Sequence, residues 1–395
     1  MRVIVAGGGV AGAASAIAFR RIGAEVTVYE AHADPAGPVG SFVSLAANGL
    51  RGLAALDCLD RVRDAGFEVP RQRLWAGSGK LLGDLPRGRL SDDPMHSVTL
   101  WRGRLVGELR EEAVRLGTRL VTGERLAGAE TVPGGVRAAF ESGHTAEADL
   151  LVGADGIWSA SRRILDPAAP EPAYGGYFSI SGVASGAGLV PGTVAPGTFN
   201  MVFARAGAFV SIPAPDGTVW WTAQVTAPER PAPGSITLDA LADLYRHEEH
   251  PSAVLRAATE THRPTPHHVL EAVRVWRDDR TVLVGDAVHP VGAGQGASMA
   301  IEDAVVLAHA VAAEPAVEAA LARYERDRCA RTAKLVKMAR TNRDAKTAGP
   351  VGRRVQSVVM PLALRVFYER STAWLYDHDL APLPQGPSGD GWRAA

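Results

Sequence analysis

The sequence predicts an α/β fold. A domain of strand–helix–strand units on a parallel sheet is interrupted by a β-rich insert and followed by helices. Three observations predict it. A β-branched run, a glycine turn and a small-residue helix open the chain over Arg2–Arg21. Two later apolar runs, Leu150–Val152 and Thr281–Val284, each meet a turn that couples glycine to aspartate. From Tyr174 to Trp276 helical periodicity fades into short β-rich runs separated by proline and glycine, the spacing of an antiparallel sheet.

With 395 residues there is room for two domains. At 46% hydrophobic and 22% charged, the composition is that of an ordinary globular protein. A net charge of −1 argues against nucleic acid or an anionic membrane as partner. Cys58 and Cys329 lie far apart, form no metal-spaced motif and read as apolar thiols, so no metal site is expected. The chain opens on a strand without a basic-then-apolar leader, and no uncharged run reaches the roughly 18 residues of a membrane span. These features lead to the expectation of a cytoplasmic protein.

In chain order, strand Arg2–Ala6, helix Ala13–Arg21 and strand Glu25–Tyr29 give way to a loop over 31–40. Apolar residues at 50, 53, 56 and 59 predict a helix over Leu50–Leu59. Arg71–Asp84 reads as a hairpin, Ser97–Trp101 and Thr118–Thr122 as strands, and Gly103–Leu116 as an amphipathic helix. Gly134–Phe140 and Thr145–Ala148 form a second hairpin. In the insert, strands are expected at Tyr177–Val183, Thr198–Ala204, Ala208–Ile212 and Val219–Val225, with one helix at Leu238–Glu248. A long helix runs from Ser298 to Lys346, Gly349-Pro350 breaks it, and Val351–Tyr376 is helical despite Pro361. The expected division assigns residues 1–70, 97–172 and 277–346 to the parallel-sheet domain and 71–96 and 173–276 to the β-rich domain. Residues 347–380 form a C-terminal helical segment and 381–395 a flexible tail.

Gly7, Gly9 and Gly12 form G-x-G-x-x-G between a strand and a helix. Gly7 permits the turn, Gly9 leaves space for a pyrophosphate, and Gly12 lets the helix pack on the strand. The N–H groups of the first helical turn, at Val10 and Ala11, face the phosphates. Glu30 ends the second strand, where a carboxylate accepts hydrogen bonds from an adenosine ribose. These residues predict a Rossmann-like dinucleotide site. In the second glycine-acid stretch, Asp155 and Gly156 make a turn that a ligand can approach, and Ser159 caps a helix carrying Arg162. In the third, Asp286 after Gly285 can accept from a polyol. The backbone of Gly294, Gln295, Gly296, Ala297 and Ser298 can reach a phosphate or a ring carbonyl. Glu302 and Asp303 read as complements of the helix dipole, and His289, beside Pro290, as structural rather than as a base.

Taken together and in this order, the three stretches resemble the flavoprotein monooxygenases of the para-hydroxybenzoate hydroxylase family, over roughly Met1 to Tyr376. Gly294–Ala304 is most similar to the branch of salicylate, urate and zeaxanthin-type oxygenases. The resemblance implies an FAD-binding domain of the glutathione-reductase-2 type with an inserted substrate domain. It assigns Gly7, Gly9, Gly12 and Glu30 to the adenosine diphosphate half of FAD, and Arg102, at a helix start, to the phosphates. Asp155, Gly156, Ser159 and Arg162 are assigned to flavin and passing nicotinamide, and Gly285 and Asp286 to the ribityl chain. It further implies that NADPH or NADH reduces FAD and that O₂ is delivered through C4a-hydroperoxyflavin to an electron-rich substrate, by hydroxylation or epoxidation. The sequence departs from the family in the short stretch His289–Gly294, in Ala31-His32-Ala33 after the ribose acid, and in lacking a thioredoxin-like domain.

The insert's inward strand faces are expected to line the substrate pocket. On Val219–Val225, Trp220 and Thr222 share one face, assigned to substrate, and Trp221 is assigned to core. Phe199, Met201, Phe209, Ser211, Asn48 and Pro290 are further candidates. No phenol-activating cluster of Tyr, His and Arg is legible, so a largely apolar aromatic or polyketide-like substrate is expected. A monomer or homodimer is expected. The competing readings are an FAD-dependent reductase or dehydrogenase on the same fold, and a nucleotide-binding scaffold without catalysis.

Overall fold

The computed structural model describes residues 1–33, 41–187, 189, 195–232, 234–291, 294–346 and 349–384. Most of the expected 31–40 loop, Gly292-Ala293 of the glycine loop and nearly all of the expected tail lie outside the described residues.

A five-stranded parallel sheet carries the glycine turns. Its order is Thr281–Leu283, Leu150–Gly153, Arg2–Ala6, Glu25–Glu30, Arg119–Thr122. Val3 to Ala6 are buried without alternation because both faces of the sheet are covered. Helices Val10–Arg21 and Gly296–Ala313 cover one face, where Ala11, Ala14 and Ala18 let backbones approach closely. On the other face lies a three-stranded antiparallel sheet, Leu126–Val132, Gly135–Phe140 and Thr145–Ala148, packing Val136, Ala138 and Phe140 against Ile4, Tyr29 and Leu151. The sequence predicts a hairpin here; the added strand pairs with Gly135–Phe140.

Most of the insert forms an eight-stranded sheet, in the order Ala258–Thr261, Ala173–Ser185, Thr218–Thr226, Gly207–Pro213, Thr198–Phe203, Arg71–Ala76, Leu81–Pro86. Thr265–Val269 pairs with Ala173–Ser185 outside that path. The expected 71–84 hairpin joins this sheet through a parallel pairing with Thr198–Phe203. Helices Leu238–Leu244 and Glu249–Arg256 cover one face, and Trp221, Phe209 and Tyr245 fill the space between. A small sheet of Phe42–Leu45, Val98–Trp101 and Phe67–Glu68 brings aromatic residues against the other face.

Several helices differ from expectation. The expected 298–346 helix is two helices, Gly296–Ala313 and Val317–Lys346, because Pro315 cannot donate a backbone hydrogen bond and disfavours helix at the residue before it. The expected Leu238–Glu248 helix ends at Leu244, and a second begins at Glu249. The expected Leu50–Leu59 helix starts at Ala47 and ends at Ala55. Helix Pro350–Tyr376 does run through Pro361. The carbonyl four residues earlier, Ser357, accepts instead from Lys80 Nζ at 2.8 Å, which replaces the missing N–H. Gly296–Ala313 is long and apolar enough to cross a membrane, but 67% of it is buried in the protein. A search for uncharged runs misses it because Glu302 and Asp303 interrupt the apolar sequence.

Candidate functional site

Parallel pairing brings the three glycine-acid stretches to one sheet edge. Ala6 pairs with Gly153 and Tyr29, and Gly153 with Leu283, so the turns after these residues emerge side by side. The Gly7 and Ala154 N–H groups donate to Tyr29 O (2.7 Å) and Ala6 O (2.8 Å), and Val284 N–H donates to Gly153 O (3.0 Å). Gly7 has φ +100°, and a Cβ there would stand 2.5 Å from Ala154 O. A Cβ at Gly12 would stand 1.8 Å from Gly7 O, so helix and turn touch through backbone. A Cβ at Gly9 would have no atom within 4 Å. The first two glycines named are thus demanded by the protein, whereas Gly9 faces open space at a helix start with neither a side-chain cap nor an acidic residue in the first turn. That is the environment of an anion site.

Glu30 is held at this edge by donors. Gly8 N–H donates to Oε2 (2.7 Å), while the His32 N–H (2.9 Å) and Nδ1 (3.0 Å) meet Oε1. Burial raises its pKa, but these hydrogen bonds and Arg110 outweigh burial and lower it, so the carboxylate is charged. Arg110 Nε also donates to Gly8 O (2.6 Å). Asp155 accepts from Ser159 Oγ (2.5 Å), Ser161 N–H (2.9 Å) and Ser161 Oγ (3.0 Å), and Ser159 Oγ caps its helix by accepting from Arg162 N–H (2.8 Å). The buried Arg162 donates to Ile157 O (2.8 Å) and to Ala287 O (2.9 Å), tying the second stretch to the third.

Gly285 has φ +59°, and a Cβ there would meet Ala11 Cβ at 2.9 Å, so the third stretch touches the first helix. Asp286 is exposed at this edge and accepts no hydrogen bond among the described residues. Its immediate surroundings are protein, so desolvation raises its pKa against the pull of His289 and Arg102. Arg102, exposed at its helix start, is thus close enough to act on Asp286 electrostatically. Gly296 lies beside Asp286, its notional Cβ 3.5 Å from Oδ1. Gly294 has φ +142°, and Gln295 precedes, without a side-chain cap, the helix on which Ala297 and Ser298 stand.

Beneath this edge lies a buried ionic network. Asp303 accepts from Gly285 N–H (2.8 Å), His289 Nε2 (2.5 Å) and Arg328 Nε (2.7 Å). Glu302 accepts from Arg328 (2.7 Å), Arg331 (2.8 Å) and Asn48 Nδ2 (2.6 Å). The expected dipole role of Glu302 and Asp303 is corrected. Both are fully buried, and arginines of Val317–Lys346 supply their counter-charges. Asn48, expected in the substrate pocket, donates its Nδ2 to Glu302, while its Oδ1 is buried without a partner among the described residues.

The insert's two faces separate the pocket candidates. Trp221 is fully buried and stacks with Phe209 at 6.1 Å between ring centroids. Ser211 shares that helix-covered face and meets His250 Nε2 at 2.7 Å. Phe209 and Ser211 therefore belong to the core side, because strand alternation puts them with Trp221 rather than Trp220. On the opposite face Trp220 packs on Trp101 (4.1 Å) and Phe67 (5.0 Å), with Phe42 nearby (6.1 Å). Phe199 and Met201 join this side. Thr222 lies next but one to Trp220 on the same face and meets Ser181 Oγ at 2.9 Å. Half-buried Pro290 belongs to the loop after Asp286. Two surface clefts, of about 330 and 350 Å³, lie away from all three glycine turns.

The FAD binding domain family matches residues 1–339. The chain belongs to the class A flavin-dependent monooxygenases. It is 32% identical to the aurachin C monooxygenase/isomerase of Stigmatella aurantiaca over 82% of this chain and 84% of that one. It is 31% identical to the 3-amino-4-hydroxybenzoate 2-monooxygenase of Streptomyces cremeus over 97% and 99%. Among solved structures, HpxO of Klebsiella pneumoniae with FAD and uric acid superposes with a TM-score of 0.81 at 24% identity over 98% of both chains, a likeness of fold. The relatives are oxygenases, which disfavours the reductase reading of this monooxygenase.

The cradle fits FAD on its own chemistry. Among the described residues, Gly9 and Gly156 open onto space, the first helix has no side-chain cap, and Asp286 accepts no hydrogen bond. Four residues near these elements carry no signal in the sequence. Arg110 had no signal beyond its place one helical turn below an apolar seam. Tyr177 and His267 come from separated strands, and Arg87 follows a third, Leu81–Pro86. The His267 ring stacks on Tyr177 (4.5 Å, 8°), its Nε2 meets Ser179 Oγ at 2.8 Å, and burial lowers its pKa to about 4. The pairing of Thr265–Val269 with Ala173–Ser185 brings His267 to Tyr177.

Proposed function

We propose that this monooxygenase uses NADPH or NADH and O₂ to hydroxylate or epoxidise an aromatic or polyketide-like small molecule between the glycine-turn edge and the Trp101–Trp220 face. The convergence of three glycine-bearing strand ends on one edge carries this reading, together with relatives that act on aurachin C and 3-amino-4-hydroxybenzoate. Gly7, Gly9, Val10, Ala11, Gly12, Glu30, Arg102, Asp155, Gly156, Gly285, Asp286 and Gly294 to Ser298 would hold FAD. When bound, FAD accepts hydride from the nicotinamide and activates O₂. The chain's own contribution is positional. Glu30 and Asp286 accept hydroxyls, the first helix meets the phosphates, and Arg162 locks the second turn to the third. Phe42, Trp101 and Trp220 exclude water from the substrate side. The division into a cofactor domain and a substrate domain at about residues 71–96 and 173–276 belongs to the same proposal. The test is anaerobic bleaching of the FAD-loaded protein by NADPH and NADH, followed by turnover of candidate aromatics under ¹⁸O₂. One labelled oxygen in the product is expected; unlabelled product, or flavin that neither nucleotide bleaches, overturns the reading.

A further inference from the structure

Residues 331–370 hold ten arginines and lysines against two acids, in a chain whose net charge is −1. The segment folds as an antiparallel helix pair. Arg331 of Val317–Lys346 donates to Leu375 O (2.9 Å), and Gln356 of Pro350–Tyr376 donates to Ala345 O (3.4 Å). The inner face of Pro350–Tyr376 is committed to the protein. Tyr368 Oη donates to Pro86 O at 2.9 Å, a Cβ on Gly83 would stand 2.8 Å from Leu364 Cδ1, and Leu375 is fully buried.

The outer face of the same helix is apolar and uncovered. Val351, Val355, Val358, Val359, Leu362 and Val366 are between 55 and 74% exposed. At 3.6 residues per turn these six fall within an arc of about 100°, the width of a stripe that ordinarily faces a core. The rim of the stripe is cationic. By the same geometry Arg354 and Arg365 border one side and Arg370 the other, and all three are exposed. Lys334, Lys337 and Arg340 of the neighbouring helix are exposed as well. Glu369, the one acid in Pro350–Tyr376, is tied to the body of the protein, where it accepts from Ser91 N–H at 3.1 Å.

A contiguous exposed apolar stripe with a polar rim marks an interaction surface. Three kinds of partner differ in what they satisfy. Nucleic acid would meet the cations and leave the valines in water. A second copy related by a two-fold axis would bury the valines but press two cationic rims together. An anionic bilayer satisfies both: the stripe enters the acyl boundary while the arginines and lysines stay at the phosphates.

We propose that helix Pro350–Tyr376 docks this protein on the surface of an anionic phospholipid bilayer. The helix lies in the interface plane, with the valine stripe toward the lipid and the basic rim on the headgroups. Arg353, Arg354, Arg365, Glu369 and Arg370 divide its apolar sequence, so it rests on the bilayer and does not cross it. The inference stands independently of the oxygenase reading. It replaces the expectation, drawn from net charge, that an anionic membrane is not a partner. Net charge misleads here because the basic residues are gathered on one helix pair while the acids lie elsewhere in the chain.

The test is co-sedimentation of the FAD-loaded full chain with two kinds of vesicle, phosphatidylcholine alone and phosphatidylcholine with phosphatidylglycerol in equal parts. Binding to the mixed vesicles is expected to be at least tenfold tighter and to weaken as salt screens the rim. Val358→Asp combined with Leu362→Asp is expected to weaken it at least tenfold. Arg354→Gln combined with Arg365→Gln should weaken it severalfold and flatten its salt dependence, whereas Arg354→Lys with Arg365→Lys should keep it. These positions are exposed, so FAD content and melting temperature should stay those of the wild type. Light scattering of the free protein reports self-association. Absence of vesicle binding overturns the proposal, and a doubled mass would then assign the stripe to a second copy. Equal binding to the two kinds of vesicle, or unchanged binding by the Val358→Asp, Leu362→Asp protein, overturns it equally.

Discussion

The edge of the parallel sheet and the inner face of the antiparallel sheet are built by opposite means. At the edge, atoms are absent where a ligand must come. Gly9 opens onto space, while Gly7 and Gly12 are required because a Cβ would strike Ala154 and Gly7. At the inner face, the proposed substrate side is built of side chains drawn from distant segments: Phe42, Trp101, Tyr177, Phe199, Trp220 and His267. A steric requirement on backbone is local and tolerates one residue type. A surface of side chains tolerates many, so it can change substrate without changing fold.

The sharpest way to break this contrast is to remove the ionic network that supports the edge. Glu302→Gln leaves Arg328 and Arg331 incompletely compensated and is expected to cost about 3–5 kcal/mol, read by thermal or denaturant unfolding. Burial alone would raise the Glu302 pKa, but Arg328 and Arg331 outweigh it and hold it near about 2. A lowered carboxylate stabilises the fold fully above its ordinary value of 4.5 and loses that stabilisation as pH falls from there toward 2. Wild-type stability should therefore decline across that window, and Glu302→Gln should flatten the decline.

The adjacent tryptophans test the two faces directly. Trp221→Ala empties a fully buried site and is expected to cost about 3–5 kcal/mol. Trp220→Ala should cost less stability and show itself as a raised KM, because Trp220 faces Trp101 rather than the core. Equal stability losses with unchanged KM would dissolve the distinction. Gly12→Ala forces a methyl onto the Gly7 carbonyl and is expected to destabilise by about 1–3 kcal/mol and to lose FAD. Gly9→Ala is the smallest structural change. Its melting temperature without FAD should match wild type, while FAD affinity falls tenfold or more, about 1.4 kcal/mol. A Gly9→Ala protein that keeps full FAD affinity would show that the open space at this turn is not where the phosphates lie.

What could be read in advance follows the same divide. The three glycine-acid stretches, the parallel strands behind them and the opposite facing of Trp220 and Trp221 were legible, because glycine spacing and strand alternation are local rules. Pro315 was present in the sequence, and its break in the expected long helix is also a local effect. Phe209 and Ser211 stand on the face opposite to the expected one, because alternation within a strand says nothing about which face a helix will cover. The ionic role of Glu302 and Asp303 is not legible in the sequence, because their partners, Arg328 and Arg331, stand about 25–30 residues away on another helix.

The sequence by itself determined the cofactor cradle. Each of its turns is encoded within about ten residues, where backbone sterics leave glycine little alternative. Only the tertiary structure decided which charges are neutralised and which are left open. Coulombic partnership depends on distance in space, and the folded chain gives Glu302 and Asp303 their arginines from another helix while leaving Asp286 without a donor among the described residues.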